Sequence, residues 1–195
     1  MDSVRYFVAL ILVITVTPAL AFWLVVHPFF RFWRRLGPAW TFTLVWGSVA
    51  VGMVALFQLR EPLLATEFGT NYTLMPLGVL CIVVAAVGRV KLSRHLTTRI
   101  ASGLPELAPE RYPQKLLTEG VYARVRHPRY AQFLLVLLGY ALFANYLALY
   151  VVFVLWLGAA YLIVLFEERE LQDRFGEAYA EYARRVPRFV PQWRG

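Results

Sequence analysis

The stretch that decides the fold is residues 130–166, YAQFLLVLLGYALFANYLALYVVFVLWLGAAYLIVLF, which runs for 37 residues without a charged side chain. One membrane crossing needs about 20 apolar residues, so the stretch is too long for one crossing and slightly short for two. Asn145 is a natural turn residue near its middle. The sequence therefore predicts a helical hairpin, with helices at about 130–144 and 146–166.

Three more uncharged runs precede the hairpin, at residues 6–26, 39–59 and 72–88. They predict helices at about 4–26, 39–59 and 72–91, each long enough to cross a bilayer. The first run exceeds the apolar core of a signal peptide and has no basic region before it, so we expect it to be retained. The fold class that follows is all-α: a polytopic membrane protein with about five transmembrane helices.

Charge in the connecting segments predicts how these helices are oriented. Residues 27–38 and 89–129 are rich in Lys and Arg, whereas the hairpin tip near Asn145 carries no charge. By the positive-inside rule, the N-terminus lies outside and the C-terminus in the cytoplasm. The net charge of +8 suits anionic membrane lipids. No pattern typical of nucleic-acid binding occurs, so we expect no nucleic-acid partner.

The sequence divides into two regions around the end of the third predicted helix. Residues 1–91 hold the three N-terminal helices, and residues 92–195 form the catalytic region. Within the latter we expect a cytoplasmic loop at 92–129, the hairpin at 130–166 and a tail at 167–195. The tail carries an apolar stripe at helical spacing, which predicts a cytoplasmic amphipathic helix over 167–185 that continues from the last crossing. The stripe consists of Leu171, Phe175, Tyr179 and Tyr182.

Two polar clusters flank the hairpin, and the predicted topology places both on the cytoplasmic face. The first contains Gly120, Tyr122 and the sequence RHPRY at 126–130. Proline favours the first turn of a helix, whose free N–H groups and neighbouring arginines would attract an anion. The second cluster begins at Glu167 and Glu168, either of which could bind ribose hydroxyls, balance a cationic cofactor or act as general base. In a simpler interpretation, the first cluster only anchors the helix at the membrane boundary, and the second is only a solvated helix end.

Metal and disulfide chemistry are not expected. The single cysteine, Cys81, lies within the third apolar run, so a monomer has no disulfide or cysteine-based zinc site. Histidines and acids do not gather at metal-ligand spacing.

Two spaced blocks identify a family resemblance. The first is Leu116-Leu117-x-x-Gly120-x-Tyr122-x-x-x-Arg126-His127-Pro128-x-Tyr130, and the second is Glu167-Glu168-x-x-Leu171-x-x-x-Phe175-Gly176-x-x-Tyr179-x-x-Tyr182 with Val186-Pro187. Together, over about residues 112–191, they resemble the isoprenylcysteine carboxyl methyltransferase family, whose wider relatives include the phospholipid N-methyltransferases. The resemblance implies an integral-membrane methyltransferase of the bacterial inner membrane that uses S-adenosylmethionine without a Rossmann domain. Its lipophilic substrate would enter from the bilayer, and its active site would face the cytoplasm.

The resemblance also assigns site residues by position. The cofactor-binding residues it implies are Gln114, Lys115, Leu116, Leu117, Gly120, Tyr122, His127, Pro128, Arg129, Tyr130 and Glu167. Arg126 and Glu168 are the candidate catalytic residues, Glu168 as general base for an amine or thiol acceptor. Carboxyl-methylating members carry a substrate-binding arginine at the position of Ile163, which leaves the acceptor open unless Arg126 or another base replaces it.

Three alternatives stay open beside this interpretation. The first is a phospholipid or amine N-methyltransferase, and the second is a sterol-reductase-like enzyme that binds NADPH. The third is a non-enzymatic membrane scaffold that keeps the fold.

Overall fold

The computed structural model describes residues 1–26, 29–93 and 116–191. Within these ranges the only β-type pairing is an isolated bridge between Glu67 and Tyr146, so the predicted all-α class is confirmed. A 3₁₀ turn spans Gly120–Ala123. The α-helices are α1 Asp2–Val26, α2 Phe30–Leu36, α3 Pro38–Gln58, α4 Arg60–Leu63, α5 Leu74–Ser93, α6 Pro128–Ala144, α7 Leu147–Phe175 and α8 Glu177–Arg185.

Three helices are long and apolar enough to cross a membrane, at Asp2–Val25, Ala39–Gln58 and Leu147–Phe175. Two further apolar helices are shorter, at Leu74–Val90 and Pro128–Ala144. A chain in lipid must satisfy its backbone hydrogen bonds internally, which explains why each uncharged run forms a helix. The protein is therefore an integral membrane protein, and the count of five crossings stays a prediction.

Helix α1 is central to the packing: it contacts α3 on one side and the α6–α7 hairpin on the other. The main core cluster joins α1 to the α6–α7 hairpin and includes Val13, Leu137 and Trp156, all buried. The Trp156 indole N–H donates to the carbonyl oxygen of Val16, 3.0 Å away, which satisfies a polar group inside the core.

Helices α5 and α6 pack closely because glycines face each other at their crossing. A Cβ atom built on Gly78 would lie 2.5 Å from the carbonyl oxygen of Gly139. The Gln132 side-chain amide also donates to the carbonyl oxygen of Ala85, at 3.1 Å. These contacts fix α6, and the start of α6 carries the first polar cluster.

The hairpin turns at Asn145, as the sequence predicts, in the left-handed conformation with φ of 58°. The Asn145 amide donates to the carbonyl oxygen of Gly69 at 2.9 Å. Beside it, Arg5 is only 1% exposed; its Nε donates to the carbonyl oxygen of Ala144, and it forms an ion pair with Glu67 at 2.7 Å. This network ties α1 to the hairpin tip, opposite the end that carries the two polar clusters.

The helix predicted over 167–185 does continue from the last crossing, but it is interrupted at Gly176 and is therefore not a single helix. Helix α7 continues without interruption to Phe175, because the segment after Glu167 holds good helix formers and neither Gly nor Pro. Gly176 then adopts a positive φ of 54°, and α8 begins at Glu177 in a new direction. The apolar stripe still forms one cluster, in which Tyr179, Tyr182 and Val186 pack against Leu171, Phe175 and Leu116.

Candidate functional site

The candidate site lies where the start of α6, the end of α7 and the segment after α8 meet. Pro128 is at the first turn of α6, as expected, and His127 is its N-cap. The backbone N–H of Arg126 donates to the carbonyl oxygen of Pro187 at 2.9 Å, and that of His127 to Arg188 at 3.0 Å. The C-terminal segment therefore runs beside the first polar cluster.

Glu168 is the most heavily paired carboxylate of the site. The Arg188 guanidinium donates to both of its oxygens, with its Nε 3.0 Å from Oε1 and its terminal nitrogen 2.7 Å from Oε2. Oε1 also lies 3.2 Å from a guanidinium nitrogen of Arg126 and 3.2 Å from Nε2 of His127. Three basic side chains thus stabilise one ionised carboxylate that is 12% exposed.

His127 lies between the two acids of the second cluster. Its Nε2 faces Glu168, and its Nδ1 is 3.6 Å from Oε2 of Glu167. Burial alone would lower the pKa of this histidine, but the pairing with Glu167 and Glu168 outweighs burial and raises its pKa above the ordinary value. The two carboxylates therefore stabilise the imidazolium form, which has a donor on each nitrogen.

Tyr130 belongs to the apolar side of the site, and Arg129 lies against its ring. The Arg129 guanidinium carbon lies 5.1 Å from the ring centre of Trp23 and 5.2 Å from that of Tyr130, within cation–π range. Arg129 also donates to the Tyr130 hydroxyl at 3.2 Å. Tyr130 packs against Ile163, which is fully buried among apolar residues. The position of the expected substrate-binding arginine is thus part of an apolar cluster.

Tyr122 is held by the tail helix. It lies in the 3₁₀ turn that begins at Gly120, whose φ is 62°. The Tyr182 hydroxyl donates to the carbonyl oxygen of Tyr122 at 2.7 Å. Burial raises the pKa of Tyr122 to about 12, so its phenol stays neutral near pH 7. Leu116 packs on the same tail cluster, and Leu117 is half-buried nearby in sequence.

The structure brings together most of the predicted polar residues of the two clusters. Arg126 and His127 contact Glu168, and His127 contacts Glu167 as well. Arg129 contacts Tyr130 and Trp23. Gln114 and Lys115 lie outside the described residues.

Two residues of the site were missed by sequence reasoning, Arg188 and Phe189. Phe189 lies beside the His127 ring, with the ring centroids 6.2 Å apart, and packs on the cluster around Tyr130. Both follow the tail helix, and no spacing rule links one arginine there to an acid 20 residues earlier. Only the proline at 187, which ends the helical pattern, hinted at an ordered segment.

A pocket of about 470 Å³ opens beside Glu168, on the side of α7 that faces α8. Its lining includes Arg126, Leu165, Glu168, Arg169, Tyr179 and Arg188. Within the described ranges, no group of three or more His, Cys, Asp or Glu residues could hold a metal ion. The site consists of ion pairs between protein side chains, next to an apolar cluster that includes Tyr130 and Ile163.

Comparison with known families and proteins gives a consistent picture. A family model described as phospholipid methyltransferase matches residues 74–178, more than half of the chain. The chain is 43% identical over 79 residues to protein-S-isoprenylcysteine O-methyltransferase B of Arabidopsis thaliana, covering 40% of each protein. It is 38% identical over 78 residues to protein-S-isoprenylcysteine O-methyltransferase of Schizosaccharomyces pombe, covering 39% of this chain and 33% of that protein.

A third similar protein has a different kind of name. The chain is 33% identical over 120 residues to the cobalt-zinc-cadmium resistance protein CzcN of Cupriavidus metallidurans, covering 61% of this chain and 50% of that protein. The chain thus spans half or less of the length of these curated relatives. No solved structure matches it significantly.

Proposed function

Because the chain belongs to the phospholipid methyltransferase family, we propose that it is an integral-membrane methyltransferase that transfers a methyl group from S-adenosylmethionine to a lipophilic acceptor. The observation that carries the proposal is the contact of His127 with both Glu167 and Glu168. This contact joins the two blocks of the family resemblance, which lie about 40 residues apart in sequence. Methyltransferase names among the similar proteins support the same reaction.

The residues around His127 fit the cofactor that we propose. S-adenosylmethionine carries an amine, a carboxylate, ribose hydroxyls, an adenine ring and a sulfonium whose methyl group is electrophilic. Carboxylates suit the amine or hydroxyl groups, a guanidinium suits the carboxylate, and aromatic faces suit the ring or the sulfonium. Glu167, Arg129 and Tyr130 offer these three kinds of contact at one end of the hairpin.

The residues of the chain contribute position and charge rather than covalent chemistry. Transfer between two aligned reactants gains most from holding them in line and excluding water. The apolar cluster of Tyr130, Ile163 and Phe189 excludes water on one side of the site. Glu168 is ill suited to remove a proton, because three basic side chains hold it ionised. We therefore propose that Glu168 is a structural anchor and that the general-base role suggested for it does not apply.

The acceptor we propose is a membrane lipid or another lipophilic molecule that enters between helices. The exposed faces of α5 as far as Val87 and of α7 as far as Leu162 are mainly apolar, which suits entry from the bilayer. The basic segment next to the site supports an orientation in which the site faces the cytoplasm. Buried Ile163 offers no charge to an acceptor carboxylate, so N-methylation of a phospholipid or another amine is the main alternative to carboxyl methylation.

A binding and transfer experiment tests the proposal. Calorimetry on the purified chain in nanodiscs would compare S-adenosylhomocysteine with NADPH, and radiolabelled S-adenosylmethionine would be added to a total lipid extract. We expect S-adenosylhomocysteine to bind and a lipid species to become labelled. Tyr130→Ala and Glu167→Ala should weaken binding at least tenfold, whereas the exposed controls Tyr72→Ala and Glu177→Ala should not. Binding of NADPH alone would indicate a reductase, and binding of neither ligand a scaffold.

A further inference from the structure

Near the site, four ionisable side chains form a row in which positive and negative charges alternate. It runs from Arg188 to Glu168, from Glu168 to His127 and from His127 to Glu167. Each step joins opposite charges over 2.7 to 3.6 Å. His127 and Glu167 belong to the cofactor pocket that the family resemblance implies, whereas Arg188 and Glu168 do not.

The first member of this row, Arg188, comes from a segment to which the proposed function assigns no role. Arg188 follows the tail helix, and the backbone of its segment is hydrogen-bonded to Arg126 and His127. Its guanidinium binds Glu168 as a two-pronged fork, which fixes the plane as well as the position of the carboxylate. A lysine ammonium would keep the charge but not this geometry.

We infer that Arg188 is a positioning residue of the methyltransferase site, which acts on the cofactor pocket through Glu168 and His127. This inference rests on the proposed function. The fork holds Glu168 in one place, Glu168 orients the imidazolium through Nε2, and the imidazolium holds Glu167 through Nδ1. Phe189, the next residue, lies against the same imidazole ring. The segment after α8 therefore helps to order the site from outside the cofactor pocket.

Variants that keep charge but change geometry test this role. Arg188→Lys should weaken S-adenosylhomocysteine binding about three- to tenfold, and Arg188→Gln more than tenfold. The matched control is Arg185→Lys, because Arg185 is 66% exposed and pairs with exposed Glu181 at 3.6 Å. We expect the control to bind like the wild type. Glu168→Gln combined with Arg188→Lys should weaken binding by less than the product of the single effects, since both act through one contact.

A second measurement separates positioning from simple anchoring of the chain end. Histidine-labelled protein would be titrated by NMR, with the His127 signal assigned by its loss in His127→Gln. The groups facing this imidazole are Glu167 and Glu168, with Arg126 and Arg188 behind Glu168. In Arg188→Lys the looser carboxylate should let the His127 pKa fall toward its ordinary value.

Two outcomes would overturn the inference. One is a lower melting temperature of Arg188→Lys with unchanged His127 titration and unchanged ligand affinity, since that result describes an anchor only. The other is a double variant, Glu168→Gln with Arg188→Lys, whose loss of ligand affinity equals the product of the two single losses. If the wild type fails to bind S-adenosylhomocysteine, the proposed function fails instead, and the titration still reports whether Arg188 positions His127.

Discussion

Gly78 and Gly139 bring the backbones of α5 and α6 into direct contact. A Cβ atom on Gly139 would lie 2.7 Å from the carbonyl oxygen of Gly78, and one on Gly78 would lie 2.5 Å from that of Gly139. Small residues allow such approach in membrane helices, where van der Waals packing drives association. Because α6 begins at the site, this crossing also sets the position of His127.

We expect Gly78→Ala to destabilise the protein by about 1–3 kcal/mol, because the added methyl group would push α5 away from α6. Gly88→Ala on the same helix is the control, since nothing lies within 4 Å of the added atom. There the loss of glycine should be neutral or stabilising by up to about 1 kcal/mol. Thermal unfolding in detergent measures both variants, and equal melting temperatures for the two would contradict the close crossing.

The Arg5 network at the opposite end predicts a large loss of stability in Arg5→Met. This change leaves Glu67 and the carbonyl oxygen of Ala144 without their buried partner, and it should cost about 2 kcal/mol or more. Arg60→Met is the comparison, because its pair with Glu61 is 3.9 Å long and Glu61 is exposed. Its cost should stay below about 1 kcal/mol in the same denaturation assay. A similar cost for both would argue against the network.

Protonation of His127 predicts a specific pH dependence of stability. Folding raises the pKa of this histidine, so the folded chain binds the proton more tightly than the unfolded chain. The added stability is complete below the ordinary pKa of about 6.5 and is lost as pH rises through the higher folded pKa. The wild-type melting temperature should fall over that interval relative to His127→Gln. Parallel curves for the two proteins would exclude the contribution.

The hydrogen bond from Tyr182 to the carbonyl oxygen of Tyr122 predicts a smaller effect. Tyr182→Phe removes a buried donor and should cost about 1 kcal/mol. Tyr72→Phe, at an 82% exposed position, should leave the melting temperature unchanged. Loss of the bond also frees the turn that holds Tyr122, so ligand affinity is a second readout. An unaltered melting temperature in Tyr182→Phe would show that the bond contributes nothing net.

Much of the fold was predictable because length and charge govern membrane helices. The uncharged runs placed four apolar helices and the start of α7 within a few residues of their observed positions, and the turn at Asn145 followed from its residue type. The charged segment after Phe166 was predicted to continue the last helix, and it does so as far as Phe175, because a change from apolar to charged residues marks a membrane boundary and not a helix end. The helix stops only at Gly176, where the backbone takes a positive φ.

The site was predictable only where a motif carried it. Contact of His127 with Glu167 and Glu168 followed from the family pattern and the hairpin. The contact of Arg188 with Glu168 did not follow from the sequence. It depends on how α8 packs against α7, which no local residue spacing encodes. The role of Arg5 was not predictable either, because its ion pair with Glu67 depends on a tertiary contact 62 residues away.

The uninterrupted length of α7 couples the site to the bilayer itself. At 29 residues it is roughly 44 Å long, well beyond a hydrocarbon core of about 30 Å. Its apolar part must match the thickness of the surrounding lipid, and a rigid helix does so by tilting. The carboxylates of Glu167 and Glu168 sit on the projecting end, where a change in tilt moves them furthest. We therefore expect acyl-chain length of the host lipid to tune this site.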